Sequence, residues 1–434
     1  MRPVAIRAGA ALLALALSAA LPARALVEAE RGDVTLEAVG SIRLTAGWLR
    51  YPDVPAVYPG EDDGLFASVV RLLLDGMLGA HLGYEVNLYG DFSRVPTLVG
   101  GGVFATAASF DSPYRTGCLS WDYAESGGVK GELGVDRLAL DLEFDRVHLT
   151  VGRFPVNHSV TRLLTPNDFF APFSAAAINK EYKPGVDALR LAVTLGMLSS
   201  VEVAGVMGYG QGGVPEWGRS ALLARASAVL WKTEWAALGG RVARRWILGG
   251  SIQGEAGPFG LFAEGHAGFP DADGDGTLDD ADRDGSVRDG IFGRLAAGFE
   301  LTFAWHNTAL GAEYLFISDG ARRPDRYIAR AAGFYPDDVA YFGRHYVAVS
   351  AGGEIIPILR VQTMLLANVK DFSGMGLVSL AWSAADEIEI LAGVLAPWGE
   401  APAVDPLAPL PIPSIESEFG TAALTVFLEG RFYF

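Results

Sequence analysis

The chain closes on Leu424-Thr-Val-Phe-Leu-Glu-Gly-Arg-Phe-Tyr-Phe434. Side chains of an extended strand alternate between two faces. That puts Leu424, Val426, Leu428, Phe432 and Phe434 on one face, and Thr425, Glu429 and Arg431 on the other. One oily and one charged face suit a strand with lipid on one side and water on the other. A lone strand of this kind would also serve as the last strand of a soluble sandwich, so the reading depends on whether the chain repeats it.

It does. Ile42, Leu44, Ala46 and Trp48 oppose Arg43 and Thr45; Leu82, Tyr84, Val86, Leu88 and Phe92 oppose Glu85, Asn87 and Asp91. Leu138, Leu140, Leu142 and Phe144 oppose Arg137, Asp141 and Glu143; Leu295, Ala297, Phe299, Leu301 and Phe303 oppose Arg294, Glu300 and Thr302. Half of the residues are hydrophobic, yet Arg, Glu, Asp or Gly interrupts every later apolar run. A soluble protein would need a second layer to cover so much alternating apolar surface. A lipid bilayer covers it directly, and only a closed barrel then leaves no backbone group unpaired. Single Cys118 excludes an intramolecular disulfide framework.

The pattern predicts an all-β, transmembrane, antiparallel up-and-down β-barrel of about 18 strands, with 16 as the alternative. The segments are 40–51, 67–78, 79–93, 134–144, 145–154, 186–197, 199–209, 219–231, 235–246, 248–256, 259–269, 291–304, 307–317, 342–352, 357–369, 374–383, 387–397 and 421–434. Glycine and alanine blur the alternation over 235–256. Long connections (52–66, 94–133, 155–185, 210–218, 270–290, 318–341, 398–420) all follow odd segments. Connections such as Asp145-Arg146 and Asp386-Glu387 follow even ones and are short. Short periplasmic turns and long extracellular loops produce this asymmetry.

Residues 1–25 read as a cleaved signal peptide: Arg2 and Arg7, an apolar stretch from Ala8 to Ala20, then Ala23-Arg-Ala25. A retained N-terminal anchor is the alternative. Residues 26–434 read as one barrel domain, with little chain before the first strand to form a plug. An aromatic carboxy-terminus on an amphipathic strand resembles the assembly signal of bacterial outer-membrane barrels, here Phe432 and Phe434. The resemblance implies the outer membrane of a Gram-negative bacterium. Its implied partners are lipid, lipopolysaccharide and the barrel assembly machinery.

Loop 155–185 carries Phe169, Phe170, Phe173 and Ile178, too apolar for a freely solvated connection. We expect it to fold into the lumen; the alternative is an external flap. Val151-Gly-Arg-Phe-Pro, Thr165-Pro-Asn-Asp-Phe-Phe-Ala-Pro-Phe and Glu181-Tyr-Lys-Pro-Gly-Val-Asp-Ala-Leu-Arg190 resemble a pattern in Gram-negative porin-like barrels, from which Phe154 and His158-Ser159 depart. In overall shape the chain is similar to alginate-export and substrate-specific porin barrels of about eighteen strands.

Candidate constriction residues are Arg153, Asp168, Lys180, Glu181, Lys183, Asp187 and Arg190. Opposed charges there would select solutes by a transverse field; Arg153, Asp187 and Arg190 could equally clamp the loop roots. Candidate lumen residues are Arg43, Arg71, Glu85, Arg137, Asp141, Glu143, Arg294, Glu300, Arg344 and Arg360, with Arg225, Arg241, Glu264, Glu313, Glu429 and Arg431 also inward.

In loop 270–290, Asp271, Asp273, Asp275, Thr277, Asp279 and Asp282 match calcium-loop spacing, with Gly276 at the bend. The expected role is a structural Ca2+ in an extracellular loop; a solvated acidic loop is the alternative. No nucleophile motif or zinc-like spacing suggests an enzyme, and the formal charge of −17 disfavours nucleic acid. Three functions fit: a porin-type channel for hydrophilic solutes, an export port for a secreted polysaccharide with a periplasmic partner, or a scaffold barrel around a partner protein. A monomer and a homotrimer both fit.

Overall fold

The computed structural model describes residues 27–94, 112–172, 182–210, 212–271, 290–332, 341–404 and 413–434. The strands are, in chain order, β1 (Val27–Arg31), β2 (Val34–Arg50), β3 (Asp62–Leu78), β4 (Leu82–Arg94), β5 (Ser120–Ser126) and β6 (Val129–Phe144). Then come β7 (Val147–Phe154), β8 (Val186–Gly196), β9 (Ser199–Val206), β10 (Ala221–Leu230), β11 (Thr233–Val242) and β12 (Arg245–Ala256). They continue as β13 (Phe259–Pro270), β14 (Phe292–Phe303), β15 (Thr308–Ile317), β16 (His345–Ile356), β17 (Leu359–Asn368) and β18 (Gly374–Ala385). Last are β19 (Ile388–Trp398), the short pair β20 (Ala403–Val404) and β21 (Pro413–Ser414), and β22 (Leu424–Tyr433).

Eighteen of them form a closed antiparallel barrel: all except β1, β5, β20 and β21. Each of the eighteen expected segments coincides with one barrel strand. β22 closes the ring between β19 and β2, with register Arg50↔Leu424 to Ser41↔Tyr433. The seam is completed past the last strand residue, where Gly40 N donates to Phe434 O (2.5 Å) and Phe434 N to Gly40 O (2.9 Å). The Phe434 ring packs over Gly40, 2.3 Å from where a Cβ there would sit, so any larger residue would have to displace the ring. Phe432 is buried, in register with Ile42 and Ile388.

Several boundaries differ from the sequence reading. β3 begins five residues earlier than expected and β6 begins at Val129. Two strands lie outside the ring: β1 extends β2 below the end of β22, and β5 covers the part of β6 that projects beyond β7. The expected turn near residue 247 lies at Ala243–Arg244, where Ala243 takes φ 49°. Apolar residues on both faces hid it: Leu238, Val242 and Ile247 point inward and are fully buried.

Leu189, Leu191, Leu295, Val347 and Val378 are exposed on the outer face, the arrangement lipid requires. Phe144, Trp231, Phe303 and Trp305 ring the short-turn end, where interfacial aromatics belong. No described helix is long and apolar enough to cross a membrane.

At the opposite end one buried polar network ties three loops together. Glu418 accepts from Phe342 N (3.0 Å), Tyr346 Oη and Asn368 Nδ2 (2.7 Å). Asp371 accepts from Tyr327 Oη (2.7 Å), Glu418 N (2.8 Å) and the Ser373 hydroxyl (2.7 Å). Burial, aided by Asp371, raises the Glu418 carboxyl from 4.5 to about 7 against those donors. The folded loops therefore hold a proton that the unfolded chain releases. Their stabilisation is complete below about pH 4.5 and is lost as pH rises through about 7. Amide protection factors in 318–332 and 413–423, with the intrinsic base-catalysed rise in exchange divided out, should thus be lower at about pH 8 than at about pH 5. Glu418→Gln should remove the difference; equal protection at both pH values in the unaltered protein contradicts the assignment.

Candidate functional site: the lumen and its third loop

The inner face is set by register. Arg43, Thr45 and Leu49 on β2, Arg71 on β3, Asn87 and Tyr89 on β4, Glu264 and His266 on β13, and Glu313 and Leu315 on β15 share the inward parity. Its long-loop half is not the polar surface the alternation implied. Two apolar plates line it. One combines Ala139, Ala188, Ala204, Val206, Leu223, Leu238 and Ile247; the other combines Ala296, Leu315, Ile317, Ala348, Met364 and Leu366.

The described part of loop 155–185 bridges them. Val156, Phe169 and Phe170 pack in the first cluster, and Leu164, with Leu163 beside it, packs in the second. Phe169 lies 5.1 Å from the His266 ring, and Phe170 meets Tyr114 edge-on at 5.1 Å. Polar contacts fix the same segment. Asn167 Nδ2 donates to Gly250 O (3.2 Å), and His266 Nδ1 lies 3.0 Å from Asn167 Oδ1. Glu264 and Glu313 accept hydrogen bonds from the loop backbone. Residues 173–181, including Phe173, Ile178, Lys180 and Glu181, lie outside the described residues.

A basic arc runs along β3 to β10. Arg71 and Arg115 both pair with Asp136, at 3.2 and 2.7 Å. Arg137 pairs with Glu85 at 2.7 Å, and Lys183 pairs with Asp168. The Arg71 and Arg137 guanidiniums both lie over the Tyr182 ring, 3.9 and 4.4 Å from its centre, and the Tyr182 hydroxyl accepts from Asn87 Nδ2. Such stacking fixes the arginine planes. Arg190 donates to Thr150 Oγ1 (3.2 Å), and Arg225 pairs with Glu234 (2.7 Å). The arc's charge registers at His158: burial, then Arg225, Lys183 and Arg190, push its imidazole down to about 4.

A second chain of charges crosses the closing seam. Arg360–Glu389 (2.6 Å), Glu389–Arg431 (2.9 Å), Arg431–Glu429 (2.6 Å) and Glu429–Arg43 (3.5 Å) run from β17 to β2. A cavity of about 670 Å³ opens beside it, lined by Leu163, Glu300, Met364, Leu391, Phe427 and Arg360 among others.

Some predicted residues serve elsewhere. Arg153 and Asp187 share the outward parity of Leu138, Val151 and Leu189. They are 2% and 6% exposed, joined at 2.6 Å. Thr116 caps both: Arg153 Nη2 donates to Thr116 O (3.0 Å), and Thr116 N to Asp187 Oδ2 (2.6 Å). They clamp the loop root rather than line the lumen. Arg241 is similar, buried against Asp271 (2.8 Å) and Trp217 on the outward parity of β11. Asp271, the first expected calcium ligand, is therefore taken by a guanidinium; Asp273, Asp275, Thr277, Asp279 and Asp282 lie outside the described residues. Arg294 faces Asp319 at 3.9 Å, and Arg344 Nε donates to Gly320 O (2.7 Å); both hold the loop after β15. Asp141 pairs with His148 (3.0 Å), and Glu143 is exposed beside the β6–β7 turn.

Sequence reasoning missed Asp136 and Arg115. The alternation that put Arg137 inside put Asp136 outside. A register shift between Asn87 and Leu88 opposite β6 turns both inward.

No protein-family model and no curated protein matches the sequence. Solved structures do match its fold. OccAB4 of Acinetobacter baumannii superposes with a TM-score of 0.52 at 9% identity, covering 92% of this chain and 98% of that one. OccK9 (OpdG) of Pseudomonas aeruginosa gives 0.52 at 12%, with the same coverage. OpdK of Pseudomonas aeruginosa, solved with vanillate, gives 0.51 at 10%, again with 92% and 98% covered. The likeness is one of fold.

Proposed function

We propose that the protein is an outer-membrane channel for small hydrophilic solutes, narrowed by the loop after β7 and selective for anions. The observation that carries the proposal is the loop segment 156–170, packed at once against apolar plates on two arcs of the inner wall. A barrel of eighteen strands is otherwise too wide for side chains to close. The fold shared with OccAB4 and OccK9 supports the channel reading.

The anion preference follows from the basic arc. Among the described residues, Arg71, Arg115, Arg137, Lys183 and Arg190 outnumber the three carboxylates that this group pairs with, Asp136, Glu85 and Asp168, while Glu202 and Asp141 lie farther along the arc. A low-dielectric wall focuses that excess into the narrow part of the pore.

Planar-bilayer recording of the refolded protein tests the proposal. The expected result is stable ohmic steps with a reversal potential favouring anions. Correctly folded protein that gives no steps overturns the channel; cation-preferring steps overturn the role of the arc.

A further inference from the structure

We propose that Glu264 and Glu313 are positioning residues that hold residues 159–167 across the lumen and thereby set Arg162 in the pore. The inference rests on the channel reading.

The two carboxylates come from separate wall strands, β13 and β15, and are 2% and 4% exposed. Glu264 accepts from Ser159 Oγ (2.5 Å) and from the N–H groups of Val160, Thr161 (3.3 Å) and Asn167 (3.1 Å). Glu313 accepts from three successive N–H groups: Arg162 (2.8 Å), Leu163 (3.0 Å) and Leu164 (2.8 Å). Thr161 Oγ1 closes the turn by donating to Leu164 O (2.7 Å). Among the described residues neither carboxylate forms an ion pair, so loop donors alone satisfy two buried anions. Successive N–H groups converging on one anion make a nest, and hydrogen bonds to an ionised acceptor are roughly twice as strong as neutral ones.

Arg162 lies between the two anchors. Its N–H is held by Glu313, while its side chain is 63% exposed and meets Glu300 at 3.0 Å. It is the exposed guanidinium of the crossing segment, and its place depends on carboxylates it does not itself pair with. Glutamine is the appropriate probe at each anchor. It keeps the shape but removes the charge and turns an NH2 group towards backbone N–H donors.

The experiment compares single channels of the unaltered protein, Glu264→Gln/Glu313→Gln and Arg162→Ala, each checked for a heat-resistant folded barrel. The double variant should conduct about twofold or more above the unaltered protein, with greater current noise. Its reversal potential should move towards that of Arg162→Ala, a readout that simple loosening of the barrel would not reproduce. Unaltered conductance, noise and reversal potential in the double variant overturn the inference while leaving the channel standing. Should the double variant fail to fold, amide exchange in the unaltered protein decides: slow exchange at 160–164 and 167 supports the anchors, and exchange as fast as in an open loop overturns them. That measurement also holds if the unaltered protein gives no current, an outcome that counts against the channel alone.

Discussion

Asp136→Leu should destabilise the folded barrel by about 3–5 kcal/mol. Asp136 is fully buried and holds Arg71 from β3 and Arg115 from the loop before β5. Arg115 also donates to Gly185 O (3.0 Å), so the same cluster joins the root of the third loop to the wall. Removing the carboxylate takes away the buried counter-ion that the two guanidiniums share. The cost is that of stranding charge, not the net worth of the ion pairs. Arg71→Met/Arg115→Met/Asp136→Leu should therefore recover part of the loss, because an apolar cluster of similar volume strands no charge, though Gly185 O loses its donor. Denaturant midpoints of the refolded barrel in one detergent measure both. An unchanged midpoint for Asp136→Leu would show that water reaches the cluster.

Replacing residues 157–170 with a short glycine–serine linker should raise single-channel conductance several-fold and weaken the preference for anions. The segment crosses the lumen between the two apolar plates and carries Arg162. Without it, the remaining wall encloses a water-filled space of the kind an eighteen-strand ring leaves open. The ring itself should persist, because the strand ladder from β2 to β22 does not pass through the loop. Its heat-resistant migration is the control. Unchanged conductance in a folded variant would place the narrowest section elsewhere, with the seam charges Arg360, Glu389 and Arg431 as the next candidates.

Alternation was legible wherever lipid faces water. Lipid admits only apolar side chains, so positions such as Leu295, Ala297 and Phe299 repeat strictly. That constraint indicated about eighteen strands, most of their inward and outward residues, and most of the long and short connections. It failed where a strand is apolar on both faces, as at Leu238, Val242 and Ile247, because there the inner wall packs against the loop instead of water. The apolar loop residues Phe169 and Phe170 did signal a buried partner, but nothing in their spacing named it.

The amino-acid sequence by itself determined a barrel with lipid outside and charge inside, because a period-two pattern is local and needs no knowledge of neighbours. Only the tertiary structure decided what each charge does. Arg153 and Asp187 read equally as constriction residues or loop-root clamps and prove to be clamps, Arg241 reads as a lumen residue and is buried against Asp271, and Asp136, outward by the alternation, lies at the centre of the inner cluster. The physical reason is that a register shift changes which side of the sheet a side chain occupies, while a loop folded over the rim buries an outward side chain without turning it. Glu264 and Glu313 were visible as inward acids, but their partners lie 97 or more residues away, a pairing set by closure of the ring.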